Sequence, residues 1–240
     1  DGTLWAWGSN SFGQVGNGLA GSTPVTRPVQ VKGLTSVVAA ASGGNFGLAL
    51  RSDGTVWGWG NNNSGQLGPP SVTGNPVTTP VLIPGLSGVV AIAAAQTTGF
   101  ALLADGTVRA WGQNHYGLLG IGMESQAPDL VGLVQVAGLD HVRAIAAGGY
   151  SAFALREDGT VWGWGSDTAG QLAVGYATDL PVTRPLQARN VAGVTSLSAG
   201  FESALAVTSG RQVLGWGMNS VNQLGRPFID RYPVPVVISR

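Results

Sequence analysis

Cysteine is absent from the 240 residues, which removes disulfides, thiolate metal sites and a cysteine nucleophile together. Lysine occurs once, at Lys32, and the 12 basic residues are balanced by 12 acids for a formal net charge of zero. A surface that neutralises many phosphates needs clustered Lys and Arg, so no nucleic acid and no anionic membrane surface is expected as a partner of this chain. Between Asp53 and Asp105 no charged residue or histidine occurs. Membrane insertion is nevertheless not expected, because Pro84, Gly85, Gly88, Gln96 and Thr97 break that stretch before an apolar run of about 18 residues can form. No leader with a basic start and an apolar run stands ahead of Asp1, so any signal peptide is expected to have been removed or never present.

Signatures of chemistry are equally scarce. The two histidines, His115 and His141, do not recur and are expected as solvated loop residues rather than ligands or catalysts. The hydrolase elbow Gly-x-Ser-x-Gly is missing, and no Asp-x-Asp calcium pattern is present. Gly16-Asn17-Gly18-Leu19-Ala20-Gly21 has dinucleotide-binding glycine spacing, but it joins no strand to a helix, and among 39 glycines one match carries little weight. Neither enzyme activity nor a cofactor or metal is expected.

What the chain does contain is one phrase written five times. Asp158-Gly159-Thr160-Val161-Trp162-Gly163-Trp164-Gly165 has counterparts from Asp1, from Asp53 and from Asp105, and a degenerate copy from Ser209. The closing Trp-Gly pairs end at Gly8, Gly60, Gly112, Gly165 and Gly217, spaced 52, 52, 53 and 52 residues apart. A fixed period of this size marks one supersecondary unit repeated. High glycine does not mean disorder here, since apolar residues make up 44% of the chain and recur in register.

Each repeat divides into four short pieces. A proline-led piece (Thr26 to Val31, Thr78 to Ile83, Val134 to Val136, Thr183 to Ala188, Pro233 to Ile238) lacks donors that a central strand needs, which places it at a sheet edge. The second piece is alanine-rich: Val37 to Ala41, Val89 to Ala95, Val142 to Ala147 and Val194 to Ala199. The third runs Phe46 to Leu50, Thr98 to Leu102, Ser151 to Leu155 and Ser203 to Val207; it should pair antiparallel with the Trp-Gly piece across a tight Asp-Gly turn. Four short strands per repeat describe the blade of a β-propeller. The fold class expected is therefore all-β, a propeller of four-stranded blades of roughly 52 residues, the whole of 1–240 forming one repeat array. The recurring tryptophans Trp7, Trp59, Trp111, Trp164 and Trp216 are read as packing between blades rather than as a ligand platform.

After each Trp-Gly pair comes a turn of the form Asn62-Asn63-Ser64-Gly65-Gln66-Leu67-Gly68, here termed the clasp, also at Asn10 to Gly16, Asn114 to Gly120, Asp167 to Ala173 and Asn219 to Gly225. Its glutamines are expected to bond the turn to a neighbouring strand. The least repetitive segments follow: Asn17 to Val25, Pro69 to Thr78, Ile121 to Val131, Val174 to Val182 and Arg226 to Arg231.

The Asp-Gly-Thr-Val-Trp-Gly-Trp-Gly phrase followed by Asn-x-x-Gly-Gln-Leu-Gly, and preceded by Ala-Ile-Ala-Ala-Gly-Gly and Ala-Leu, resembles the repeat of the regulator of chromosome condensation family over essentially the whole chain. The resemblance implies a propeller, seven-bladed in well-known members, of which 240 residues supply about 4.5 blades. An incomplete wheel would be a fragment or an arc completed by another copy, with self-association possible through open strand edges. The wording looks most like bacterial secreted or surface members, so an extracellular or cell-surface location is expected. The histidine that such repeats often carry before the third strand is replaced by Phe46, Thr98, Ser151 and Ser203, so no role of that residue carries over.

The function expected is a non-catalytic binding or scaffold propeller whose variable loops hold a protein or glycan partner. The candidate contact residues are Phe12, His115, Tyr116 and Asp167, where an aromatic ring or a charge replaces a bland turn residue. The alternatives weighed are a guanine-nucleotide exchange factor for a small GTPase, a secreted enzyme inhibitor and a light sensor similar to the plant UV-B receptor. The Gly-Trp-Arg-His-Thr context of that sensor's tryptophan cluster does not occur here.

Overall fold

Strands form where the third piece, ending in Ala-Leu or its like, meets the Trp-Gly piece, and the register between them is the same in the β-hairpins closed at Gly60, Gly165 and Gly217. In the computed structural model, which describes residues 1–68, 75–125, 131–227 and 229–239, Gly47 faces Trp59, Ala152 faces Trp164 and Ala204 faces Trp216. The small residue opposite each indole is a steric requirement. A Cβ on Gly47 would lie 2.5 Å from the Trp59 ring, and one on Gly99 would lie 2.4 Å from Trp111.

The chain begins with β1 (Trp5–Asn10) and β2 (Gly21–Gln30), a two-stranded antiparallel sheet. Four-stranded sheets follow. The first holds β3 (Val37–Ser42), β4 (Phe46–Arg51), β5 (Val56–Gly60) and β6 (Val77–Leu82); the next holds β7 (Val89–Ala94), β8 (Thr98–Leu103), β9 (Val108–Gly112) and β10 (Val131–Gln135). The third holds β11 (Val142–Ala147), β12 (Ser151–Arg156), β13 (Val161–Asp167) and β14 (Thr178–Gln187), and the last β15 (Val194–Ala199), β16 (Ser203–Thr208), β17 (Val213–Met218) and β18 (Arg231–Ser239). In each the strands lie in chain order, so the alanine-rich strand takes one edge and the proline-led strand the other. The four pieces read from the sequence are these four strands.

Two features differ from expectation. The hairpin between the third and fourth strands is not a two-residue Asp-Gly turn. Residues 51–55 form it, with Arg51 N–H donating to the Thr55 carbonyl at 3.0 Å, and only Gly54 takes a left-handed φ, +77°. The aspartate serves as an acceptor instead: Asp53 Oδ1 receives Thr55 N–H at 3.0 Å and Thr55 Oγ1–H at 2.6 Å, and Thr55 Oγ1 receives Trp57 Nε1–H at 3.1 Å. Hydrogen bonds from Thr55, side chain first, hold the Asp53 carboxyl below its usual pKa, and Thr160 does the same for Asp158. The second difference is that β2 and β14 run ten residues each, taking in part of the segments read as variable loops. Register shifts opposite Gly8 and Gly165 let these long edge strands continue past the Trp-Gly pair. Of the other variable segments, residues 69–74, 126–130 and 228 lie outside the described residues.

Contacts group the chain into two units, one centred on Asp1–Ala104 with Arg109–Gln113, the other on Gln135–Arg240 with Asn114–Gln126. The first has its core between the two central strands of successive sheets, where Phe46, Leu48 and Leu50 of β4 pack with Ala101 and Trp111. In the second, Phe153 and Leu155 of β12 pack with Ala204, Ala206 and Trp216, the Phe153 and Trp216 rings meeting edge to face at 6.4 Å. The tryptophan of the closing Trp-Gly pair is thus buried against the clasp of the repeat before at Trp59, Trp111, Trp164 and Trp216, which agrees with a packing role. Trp7 is the exception, 63% exposed.

Candidate functional site

The clasp is built the same way each time. Its first residue accepts the N–H five positions on: Asn10 from Val15, Asn62 from Leu67, Asn114 from Leu119, Asp167 from Leu172 and Asn219 from Leu224, at 2.8 to 3.1 Å. The glutamines do not reach a neighbouring strand as expected. Their side-chain oxygens accept the N–H two residues back, from Phe12, Ser64, Ala169 and Val221. The Gln14 amide alone adds a longer contact, 3.3 Å to Asn45 Oδ1. What crosses between repeats is the main chain. Trp59 Nε1–H donates to the Gln14 carbonyl, Trp111 to Gln66, Trp164 to Leu118 and Trp216 to Gln171, at 2.7 to 2.9 Å. A second bridge follows, since Gly18, Gly122 and Gly175 N–H groups donate to the carbonyls of Thr78, Thr183 and Pro233 in the next proline-led strand.

The third clasp departs from the others. His115-Tyr116-Gly117 is a 3-10 turn in which Tyr116 takes φ +59°, a left-handed conformation that Phe12, Ser64, Ala169 and Val221, at the same clasp position, do not adopt. A non-glycine residue there is uncommon and costs on the order of 1 kcal/mol. The turn stacks the His115 and Tyr116 rings at a centroid distance of 4.0 Å and brings Tyr116 to 5.1 Å from Tyr150. Tyr150 meets Phe201 edge to face at 5.8 Å. Tyr150 precedes β12 and Phe201 precedes β16, so two successive hairpin tips extend the clasp's pair into a row of four rings. The tips are tied by Gly149 N–H donating to the Phe201 carbonyl at 3.0 Å, and glycine is needed there, because a Cβ on Gly149 would fall 2.7 Å from the Phe201 ring. His115, Tyr116 and Tyr150 are half-buried, and Phe201 is 56% exposed.

Of the four residues singled out from the sequence, the structure stacks His115 on Tyr116. Phe12 lies in the other unit, half-buried, its N–H held by the Gln14 side chain. Asp167 cannot be a partner contact in this fold. It is fully buried as the clasp's first residue, Oδ1 accepting Leu172 N–H at 2.8 Å while Oδ2 has no partner. Burial pushes its carboxyl up to about 6, against the lowering effect of the Leu172 bond. Sequence reading missed Tyr150 and Phe201, although the rule that found Tyr116, an aromatic ring in place of a bland turn residue, applies to the second turn of each repeat as well. His141 stands outside the row, exposed and 3.7 Å from Glu157. Among the described residues no cluster of three or more His, Cys, Asp or Glu could hold a metal, and no helix is long and apolar enough to cross a membrane.

Four-stranded antiparallel sheets, each in chain order and each bonded through an indole to the clasp that precedes it, define a β-propeller repeat protein. The chain belongs to the RCC1-like domain family, whose model matches residues 1–239. It is 31% identical to the mouse E3 ubiquitin-protein ligase HERC2 across 98% of this chain and 5% of the ligase. With the Arabidopsis thaliana ultraviolet-B receptor UVR8 it shares 28% identity across 92% of this chain and 50% of the receptor. Among solved structures, Saccharomyces cerevisiae Prp20p superposes with a TM-score of 0.83 at 25% identity, covering all of this chain and 59% of Prp20p. Human WBSCR16 gives a TM-score of 0.84 at 22% identity, covering 98% of this chain and 66% of that one, a likeness of fold. The chain thus spans from a twentieth to about half of the curated relatives named here.

Proposed function

We propose that this chain is a non-catalytic protein-binding propeller segment and that the row His115, Tyr116, Tyr150 and Phe201 is where it holds a protein partner. The row carries the reading: four rings drawn from three repeats, one presented by an unfavourable backbone conformation, line up with their faces part-open to solvent. Rigid aromatic side chains lose little conformational entropy on contact, and they dominate the energetics of protein interfaces. Their ring faces also attract guanidinium and ammonium groups. Similarity supports a binding role in general terms, since the structure of Prp20p is reported with its binding properties to Gsp1p and histones. The extracellular or cell-surface setting belongs to the same proposal, and fractionation of the source cells checks it.

A photo-crosslinking amino acid at position 201 is expected to capture a discrete protein, and Tyr116→Ala should reduce that capture at least tenfold while Phe12→Ala leaves it intact. Equal capture by all three forms, or retention of a glycan instead of a protein on an array, overturns the reading. Exchange on a GTPase is the second reading, favoured only by the likeness to Prp20p; a nucleotide-release assay in which this chain leaves the rate unchanged removes it.

A further inference from the structure

The loops that leave the first and fourth clasps are built to one plan. Each is bracketed by a strand pair, Asn10 with Gly21 and Asp167 with Thr178, so the two are equal in length. Each carries a glycine eight positions after its first residue, Gly18 at φ +87° and Gly175 at φ +102°, whose N–H crosses to the carbonyl of Thr78 or Pro233 in the next proline-led strand. In the first loop the Asn10 side-chain amide donates to the Leu19 carbonyl at 3.0 Å, and in the third clasp Asn114 makes the same bond to Met123 at 2.9 Å. The residue nine positions on is thus held by its main chain while its side chain faces water. Leu19 is 66% exposed, Met123 62% and, at the matching place, Tyr176 52%.

Asp167 brings an oxygen where those asparagines bring a donor. Its Oδ1 accepts the Leu172 N–H, and Oδ2, in the place of the amide nitrogen, is buried and without a hydrogen-bond partner among the described residues. The shared loop register sets that atom toward the Tyr176 carbonyl. With the carboxyl ionised, two acceptors and a buried charge meet without a proton between them. With the carboxyl protonated, Oδ2–H supplies the donor that asparagine supplies elsewhere. Charged and titratable groups on the surrounding elements are Asp179 and Arg184 on β14, Arg156 on β12, Tyr150 just before it, and His115 and Tyr116 in the third clasp. Arg189 lies beside Gly175, and Arg231 donates to the Thr168 carbonyl. All of these are exposed or half-buried, and the balance at Asp167 is set by its own burial, which raises its pKa, against the Leu172 bond.

We propose that Asp167 makes the loop of residues 173–177 a pH-sensitive latch, closed when the protonated carboxyl donates to the Tyr176 carbonyl and open when the carboxyl is ionised. Opening admits water to Oδ2 and loosens the Gly175 bridge to Pro233. It also uncovers Val174, which is 4% exposed in the closed loop and shares a core cluster with Ala188 and Val191. The surface side chain whose position the latch controls is Tyr176. The loops of the first and third clasps are held by asparagine amides, which do not titrate, and they stay shut over the same pH range. One joint of the array therefore answers to pH while its counterparts do not.

Hydrogen–deuterium exchange of the intact chain, corrected for the intrinsic pH dependence of exchange, tests this at about pH 5 and about pH 7.5. These lie on either side of the value of about 6 to which burial pushes the carboxyl. Protection of amides 174–178 is expected to fall at least tenfold between the two in wild type and to stay level in Asp167→Asn. Amides 17–20 should stay level in both proteins. Asn10→Asp, which carries the acid into the first clasp, should bring the same fall to amides 17–20, and it decides the matter if Asp167→Asn folds poorly. Equal protection of 174–178 at both pH values in wild type overturns the proposal. So does a fall that Asp167→Asn retains, or one spread evenly over all repeats, which would report global unfolding in place of a latch.

Discussion

At the scale of the residue, Asp167 is where the chain departs from its own rule. Four clasps begin with asparagine, whose oxygen accepts a backbone N–H and whose amide, in Asn10, Asn114 and Asn219, donates to a carbonyl farther along the loop. Aspartate preserves the first contact, but when ionised it has no proton for the second, and its Oδ2 is buried without a partner. With a native pKa of about 6 against a reference of 3.8, the folded state holds a proton between those pH values that the unfolded chain has released. Stability from this residue is therefore fully present below about pH 4 and is lost as pH rises through about 6, by on the order of 2 kcal/mol. Asp167→Asn should remove that slope and raise stability at pH 7 by a similar amount. Urea unfolding of both proteins at pH 4.5 and pH 7 measures it, and an unchanged slope refutes the assignment.

At the scale of the element, the strands were legible because two signals agreed: a 52-residue period and turn residues at fixed offsets. The staples between repeats were not legible. Donor and acceptor lie 45 or 46 residues apart, and the acceptor is a backbone carbonyl that leaves no mark in composition. The candidate site was half visible. His115 and Tyr116 stood out in their clasp, whereas Tyr150 and Phe201 sit in hairpin tips that only the fold sets beside it, and Asp167 was misjudged because a charge in a turn usually faces water. Two glycines, Gly117 in the third clasp and Gly33 in the turn after β2, separate two kinds of constraint. At Gly117 a Cβ would stand 2.8 Å from the Thr183 Cα and φ is +70°, while at Gly33 φ is +73° with nothing within 4 Å. Gly33→Ala should cost only the left-handed conformation, about 1 kcal/mol, and Gly117→Ala at least about 2 kcal/mol, since the clasp and the next proline-led strand must separate. Thermal unfolding of the two variants ranks them, and equal losses would show that the seam yields freely.

For the whole molecule, the scarcity of charge decides what holds it together. The ion pairs of Arg51 with Asp53, Arg156 with Asp140 and His141 with Glu157 involve exposed or part-exposed groups, and such pairs contribute at most about 1 kcal/mol each. Stability comes instead from apolar seams that repeat, each joining a sheet to its sequence neighbour. Raising sodium chloride from about 20 to about 150 mM, which shortens the screening length severalfold, should therefore shift the urea midpoint very little. A large fall would point to electrostatic links that these contacts do not contain.

The staple between repeats is asymmetric in what it demands of heredity. Its donor is a specific side chain, so each indole can be lost in a single mutation; its acceptor is a peptide carbonyl, which every amino acid supplies, and Leu118 in place of glutamine shows the drift this permits. A lock of which one half is encoded and the other is generic tolerates copying. Any duplicated unit arrives with its own key and finds a keyhole already present in whichever unit it lands beside, so such an array can lengthen, shorten or exchange members by recombination without its joints having to evolve together.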